Sequence, residues 1–317
     1  MLDSLNIAFD SAHLWLFESV VQPLLFALGA STLLEDAYDA TMWALIGLLE
    51  LLVLVCIVGI LQRLRPAQEI SEPRQVRTDI LYTLIHRLGL FRLALYFTLL
   101  PACTAVFGYL NTHGVQFTAL DELIPGVTTK AWVSVLIYLL AFDFVDYWYH
   151  RAQHHWWRFW ALHAVHHSQR QLTMWSDNRN HLLDDFLRAT VFVMLAYILG
   201  VPPGQFVVIV VLTQLLESLS HANARVSFGP WFDRLLVSPK YHRHHHSLEV
   251  DRTGESCNYA VLFPVWDILF GTARFDGNYG ATGIHDQLEI SGHQDYGNGF
   301  WAQQWLGIVR FFRPKAN

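Results

Sequence analysis

The sequence predicts an all-α integral membrane protein: a bundle of about four to six membrane helices or half-helices carrying a histidine-rich helical cap on the cytoplasmic side. Three observations predict it. Hydrophobic residues make up 53% of the 317 and charged residues only 15%, with a mean hydropathy of +0.27, which is unusual for a soluble domain. Several apolar stretches approach the roughly 20 residues, at 1.5 Å each, that cross a bilayer. Twelve of the 17 histidines fall between positions 150 and 246, in short runs that membrane threading places on one side. A net charge of -6 without a basic stripe argues against a nucleic-acid partner. Cys56, Cys103 and Cys257 lie far apart with no CxxC pair, so neither a disulfide framework nor a thiolate metal site is expected and packing is their assigned role.

The elements follow in order. The start, "MLDSLNIAFDSAHLW", has no basic leader and carries Asp3 and Asp10 before any long apolar run, so no cleavable signal is expected. Residues 12–33 read as a first, weaker span, and 41–61, "TMWALIGLLELLVLVCIVGIL", as the clearest one. Further spans are expected at 90–110 and 131–149. A helical hairpin, 184–200 and 204–220, turns at "GVPPG", where neither Pro202 nor Pro203 can donate a backbone hydrogen bond. Its first arm opens with Asp184, Asp185 and Arg188, which leaves a full crossing and a partial dip both open. Arg63, Arg65, Arg74 and Arg77 mark the 62–79 loop as cytoplasmic, against the acidic "STLLEDAYDA" at 31–40. Threading onward puts the 111–130 loop outside, and residues 150–181 and everything after about 221 in the cytoplasm. The segment "FWAQQWLGIVRFFRPK" mixes Trp301, Trp305, Phe311 and Phe312 with Arg310, Arg313 and Lys315, which suits a helix lying in the interface.

The histidines carry the chemistry. In "HRAQH", His150 and His154 are four apart and share a helix face. "HAVHH" places His163, His166 and His167 at i, i+3 and i+4, and "HRHHH" repeats that spacing with His242, His245 and His246. His181 and His221 stand at the two feet of the hairpin, which brings them together. Ten candidate nitrogen ligands are roughly what two metals with four or five protein ligands each would use. One such pair on a helix is ordinary as a polar face. Three clusters in one compartment are not, because a metal-free core of ten imidazoles needs ten partners and repels itself wherever protonated. His155 and His244 are assigned by helical geometry to the outside or to a supporting role behind the ligands, and the scattered His13, His86, His113, His285 and His293 are read as satisfied or solvated.

All-imidazole sites suit iron, zinc, copper or nickel rather than magnesium or calcium. A structural zinc needs only four ligands, whereas a pair of irons activating oxygen fits the count, and the membrane setting implies an apolar substrate entering from the lipid. The chain has no GxGxxG phrase, no CxxCH haem site and no cysteine set for an iron–sulfur cluster. The two electrons such chemistry needs per turnover must therefore come from a separate reductase or electron carrier.

The motifs "DFVDYWYHRAQH", "HAVHHS", "RNH", "SHAN" and "SPKYHRHHHS", followed by "NYAVLFPVWDILFGT", resemble the fatty acid hydroxylase and sterol desaturase superfamily of integral-membrane di-iron enzymes over roughly 140–275. The resemblance implies membrane helices at 1–130, a catalytic domain at 131–275 and a tail with an interfacial helix at 276–317. It implies O2-dependent hydroxylation or desaturation of a sterol, fatty acyl chain, carotenoid or ether lipid, with electrons from a ferredoxin or cytochrome b5 type carrier. The irons would be held by His150, His154, His163, His166, His167, His242, His245 and His246, with His181 and His221 as further ligands. His244 stands where many relatives carry an apolar residue, so the choice among 244, 245 and 246 rests on helical spacing.

A ligating imidazole usually donates its other N–H to a carboxylate or carbonyl. Asp146 lies four residues before His150, Asp143 seven before it, and Glu217 four before His221, so each is a candidate for that role, and Glu217 is also a candidate ligand. Asn223 and Asn258 are weaker candidates. The tryptophans of "HHWWRFWALH" read as interface anchors, with Arg158 and Arg170 facing headgroups. The rival function is a non-catalytic membrane protein that binds or transports metal. Transport calls for polar groups near mid-membrane, and Glu50 is the one conspicuous candidate there.

Overall fold

The computed structural model describes residues 2–117, 119–253, 256–291 and 293–313, among which there is no β-strand. Two isolated bridges, Pro66 with Ala224 and Ser247 with Thr282, tie loops together. Among the described residues four helices are long and apolar enough to cross a membrane: Ser31–Leu64, Leu90–Thr112, Ala131–His155 and Pro203–Ser220. Leu48, Leu52, Ile57, Phe97 and Val106 lie exposed on their outer faces, the pattern that a lipid surround requires.

The first expected span, 12–33, is not one element. Leu2–Leu16 passes through a wide turn at Phe17–Val21 into Gln22–Ala27, and Gly29, at φ +68°, then turns the chain. The acidic stretch 31–40, expected as a loop, instead begins the helix of the next span, where Glu35 and Asp36 complement the positive end of the helix dipole. The arginine-rich 62–79 loop also proves partly helical, since Pro73–Arg87 forms a helix with proline in its first turn. Hydropathy hid this element because its buried face is polar: Thr78, Asp79, Tyr82, Thr83, His86 and Arg87.

The hairpin forms as expected, from Leu182–Leu199 and Pro203–Ser220. Gly200 ends the first arm in the left-handed conformation, φ +62°, and a Cβ there would stand 2.8 Å from that of Ala119. With Asp184, Asp185 and Arg188 near its start, this arm is not among the four candidate spans. Tyr138, Leu139 and Phe142 of the 131–155 helix, Ile209 of the hairpin and Leu262 form the core that joins the bundle to the cap.

A layer of buried charge lies beneath the cap. The Arg87 side chain is fully buried and pairs with Glu50 at 3.0 Å and Asp177 at 3.2 Å. It also donates to the Gln214 carbonyl at 2.8 Å and the Ser218 hydroxyl at 2.9 Å. Glu50, the acid that a transport function would use, is thus engaged by a guanidinium. The approach of the two helices depends on Gly47, whose Cβ, if it had one, would lie 1.6 Å from the Arg87 carbonyl oxygen.

The final helix, Phe300–Phe312, buries Phe300, Gln303, Gln304, Gly307 and Arg310, and it packs on the Trp157–His167 helix. Trp301, Trp305 and Phe312 are exposed on its other face. Arg310, one of the basic residues read as suiting an interfacial helix, is turned inward, donating from Nε to the Ala161 carbonyl and stacking on Tyr296. Lys315 lies outside the described residues.

Gly47→Ala forces the 31–64 and 73–87 helices apart and should cost about 1–3 kcal/mol, the usual range for overpacking. A lowered unfolding midpoint in detergent checks this.

Candidate metal centre

The cap is assembled from four chain segments. The 131–155 helix delivers His150 and His154 on its last turns. Trp156, in extended conformation (φ -98°, ψ 118°), breaks that helix and lets Trp157–His167 fold back with His163, His166 and His167. His221 follows the end of the hairpin's second arm. Pro239–His245 begins with proline, takes Ser238 as its N-cap and carries His242 and His245, with His246 at its end.

Nine imidazoles converge in two adjoining groups. His150, His154, His163, His167 and His245 each offer a ring nitrogen, all within 4.8 Å of one another, and His166, His221, His242 and His246 do the same. All nine are buried except His154, which is half-buried. Across the seam the His167 and His246 rings stack at 4.2 Å.

The outer nitrogens show which way the rings are set. His150 Nδ1 meets the Tyr259 carbonyl at 2.7 Å, His245 Nδ1 that of Cys257 at 2.6 Å, and His221 Nδ1 that of Glu217 at 2.8 Å. A nitrogen against a carbonyl oxygen must carry the proton, so in these rings Nε2 keeps its lone pair and faces inward. There the nitrogens crowd: His167 Nε2 and His245 Nε2 are 3.1 Å apart, His166 and His221 3.1 Å, His221 and His242 2.9 Å, and His242 and His246 3.1 Å. The inward Nε2 atoms of His150, His154 and His163 have no hydrogen-bond partner. Nitrogens bound at about 2.0–2.1 Å to one ion stand roughly 2.8–3.4 Å apart at 90–109°, so the spacing fits a transition-metal cation shared within each group. Burial first, and neighbouring imidazoles second, push His166, His167, His242 and His246 well below the ordinary histidine pKa. His245 is lowered to about 3, mainly by burial. The rings are therefore held neutral, the form that ligates.

Nine of the ten histidines proposed as ligands meet here. The tenth, His181, does not. Its Nε2 contacts the Gln304 carbonyl at 2.9 Å and its Nδ1 accepts from Leu183 N at 3.1 Å, so it caps the 182–199 helix and has no nitrogen free. His155 is exposed and His244 half-buried, both outside the groups. Of the scattered histidines, His13, His86 and His113 bond to backbone carbonyls.

The three carboxylates expected behind the ligands sit elsewhere. Asp143 accepts from Leu262 N, Phe263 N and Trp266 Nε1, at 2.8, 3.0 and 2.9 Å. Asp146 and Glu217 share Arg188, and it is the Glu217 backbone, not its carboxylate, that holds His221. Their helical spacing from the histidines was real, but Arg188 and the 262–266 turn compete successfully for the oxygens.

What anchors the ligands from behind is largely backbone, set by residues distant in sequence. Asp267 accepts from Tyr259 N, Ala260 N, Tyr241 Oη and Thr272 Oγ1. Asn258, at φ +58°, donates to the Tyr241 and Arg274 carbonyls. Asp143 and Asp267 thereby clamp the 257–263 loop, whose carbonyls hold His245 and His150. Asp184 was missed as a site residue: it accepts from Gln153 and Tyr149 and lies 3.5 Å from His163 Nδ1. Its signal was a buried acid at the start of an otherwise apolar arm. Asn223 instead straps the 66–68 segment, accepting from Gln68 N and donating to its carbonyl.

One cavity adjoins the cluster, and a second adjoins the first through shared lining residues. A small one, about 60 Å³, reaches His150, His163, His166, His221 and His242. A larger one, about 340 Å³, runs among Leu95, Leu99, Phe192, Val193, Phe206 and Ile209.

Residues 135–272 match the family model described as fatty acid hydroxylase. The chain is 30% identical over 222 residues to the ornithine lipid hydroxylase OlsE of Rhizobium tropici, covering 69% of this chain and 64% of that protein. It is 26% identical over 167 residues to a Delta(7)-sterol 5(6)-desaturase of Gibberella zeae, covering 53% and 49%. To the alkylglycerol monooxygenase of Danio rerio it is 31% identical over 147 residues, covering 44% and 31%. The chain thus spans less than two thirds of the length of each of these relatives. No solved structure matches.

Because the folded histidines resist protonation and unfolded ones titrate near 6.5, the unfolded chain binds more protons below that pH. Stability of the metal-stripped protein should therefore be highest above about 6.5 and fall as the pH drops toward 3, by up to about 1.4 kcal/mol per pH unit for each histidine. Melting temperatures at pH 7.5 and 5.5 after chelation check this. Asp267→Asn and Asp143→Asn, by loosening the 257–263 loop, should lower metal affinity about 10–100-fold in chelator competition.

Proposed function

We propose, from the match of residues 135–272 to the fatty acid hydroxylase family model, that the chain is a membrane-bound oxidoreductase that uses O2 to hydroxylate or desaturate an apolar lipid. The observation that carries this reading is the pair of all-imidazole groups, nine nitrogens without a carboxylate among them, beside an apolar cavity of about 340 Å³. Nitrogen-rich sites of this kind suit iron. Two iron ions would be held by the five histidines of one group and the four of the other, and when bound they would supply the oxygen activation and redox capacity needed to break an unactivated C–H bond.

The chain's own part is positional. The carbonyls of Tyr259, Cys257 and Glu217 fix three rings in the ligating tautomer. Asp143 and Asp267 hold the loop that presents two of those carbonyls. Phe192, Phe206 and Ile209 give the larger cavity an apolar wall that favours an alkyl chain over water. The reducing electrons enter from a separate carrier of the ferredoxin or cytochrome b5 type, in line with a sequence that carries no flavin, haem or iron–sulfur motif. Arginine enrichment at 62–79 supports a cytoplasmic location for the cap. The names of the relatives, which act on an ornithine lipid, a sterol and an alkylglycerol, support a lipid substrate.

His166→Ala and His245→Ala each remove a ligand from a different group and should abolish turnover while the purified protein still binds lipid. Mass spectrometry of membrane lipids from a host with and without the chain should show a gain of one oxygen or a loss of two hydrogens. That product should disappear without O2; persistence under anaerobic conditions, or full turnover by either variant, rejects the proposal.

A further inference from the structure

The two cavities are separated by charge. Asp146, Asp177, Asn180, Asp185, Arg188 and Glu217 line both. Arg188 is the centrepiece: it projects from the 182–199 helix, binds Asp146 of the 131–155 helix through Nε and Nη2, and reaches Glu217 of the 203–220 helix at 2.8 Å. Its side chain remains 27% exposed although Asp146 is nearly buried, and the guanidinium stacks on Phe192, a wall of the larger cavity. One side chain therefore ties three helices together at the neck between the apolar chamber and the histidines.

The charges in this neck do not balance. Its lining carries four carboxylates and one guanidinium. Arg87 behind Asp177, His86 behind Asp185 at 2.9 Å, and Arg92 in the wall of the larger cavity add at most three positive groups, and Glu50, which shares Arg87, adds a fifth carboxylate, which leaves one acid in excess. A bare hydrocarbon drawn into the neck would desolvate these groups and offer no hydrogen bond in return. A head that bears N–H or O–H groups would replace the lost hydrogen bonds and answer the surplus of acceptors, while its alkyl tail stayed among Leu95, Leu99, Phe206 and Ile209.

We propose that the large cavity takes an amphiphile whose hydroxyl or ammonium head docks at the Arg188–Asp146–Glu217 neck, so that the carbons next to the head, not those of the mid-chain, face the histidines. This rests on the oxidoreductase reading for its chemistry, but the docking itself does not depend on turnover. Selection comes from the buried acceptors, which reject an alkane more strongly than an apolar wall distinguishes chain lengths.

Trp43 lines the same cavity and stacks under Arg92, which provides a binding readout independent of activity. Three chain-matched probes, 12-bromododecan-1-ol, 12-bromododecylamine and 1-bromododecane, are titrated into the full chain in detergent. Quenching is read as the difference between the protein and its Trp43→Phe variant. The alcohol and the amine should quench at concentrations at least tenfold lower than the bromoalkane, and Glu217→Gln should shrink the advantage of the amine over the alcohol. Equal quenching by all three, or a bromoalkane that binds best, overturns the proposal. Iron-loaded, chemically reduced protein is then given dodecan-1-ol and O2. Oxidation within the first few carbons supports head docking, and oxidation at mid-chain or at the far methyl overturns it while leaving the oxidoreductase reading intact. The predicted binding order with no oxidation of any probe keeps the docking proposal and removes the oxidoreductase reading.

Discussion

Everything in the cap answers to one constraint: nine imidazoles, all buried but the half-buried His154, converge with ring nitrogens within 4.8 Å of one another in each group. Lone pairs brought that close repel one another. Three rings are held from their outer edge by the carbonyls of Tyr259, Cys257 and Glu217, so that the crowding is imposed by the fold and is of the kind a cation would relieve. The clamp on the 257–263 loop, the helix break at Trp156 and the cap of Ser238 on the last ligand helix all serve that imposition.

The same constraint explains the polarity of the layer beneath. Arg87, Arg179 and Arg188 are each engaged by carboxylates, with Arg179 Nη1 2.8 Å from Asp79. Buried ion pairs are weak sources of net stability, yet breaking one leaves a stranded charge and is severely destabilising. They therefore fix which helix meets which, and they do so where lipid-facing apolar residues offer little discrimination. Positioning nine rings to a fraction of an ångström calls for that kind of registry.

Much of this was legible in the sequence, and for a simple reason. Membrane spans and histidine clusters are periodic signals, and a period survives without knowledge of the tertiary fold. Residues 41–61, 90–110 and 131–149, the GVPPG hairpin and nine of the ten histidines were found that way. What was missed depends on distant partners. The 73–87 helix buries a polar face whose partners come from the 31–64 helix, the 177 region and the hairpin. His181 has the right neighbours in sequence but meets Gln304, more than a hundred residues on. Asp143, Asp146 and Glu217 have the right spacing, yet other donors reach them first. The true supports are mostly carbonyl oxygens, which every residue possesses and no motif can mark.

The order of the ligands along the chain has a consequence of its own. The run at 163–167 is divided between the two groups, with 163 and 167 serving one and 166 the other, and the run at 242–246 is divided in the same way. Neither set can be completed without the short helix at 239–245, so both close at the same moment of folding. A nascent chain halted before that helix owns no finished site, and a chain that has docked it owns two. Assembly of the two groups is thereby coupled, since neither can form ahead of the other.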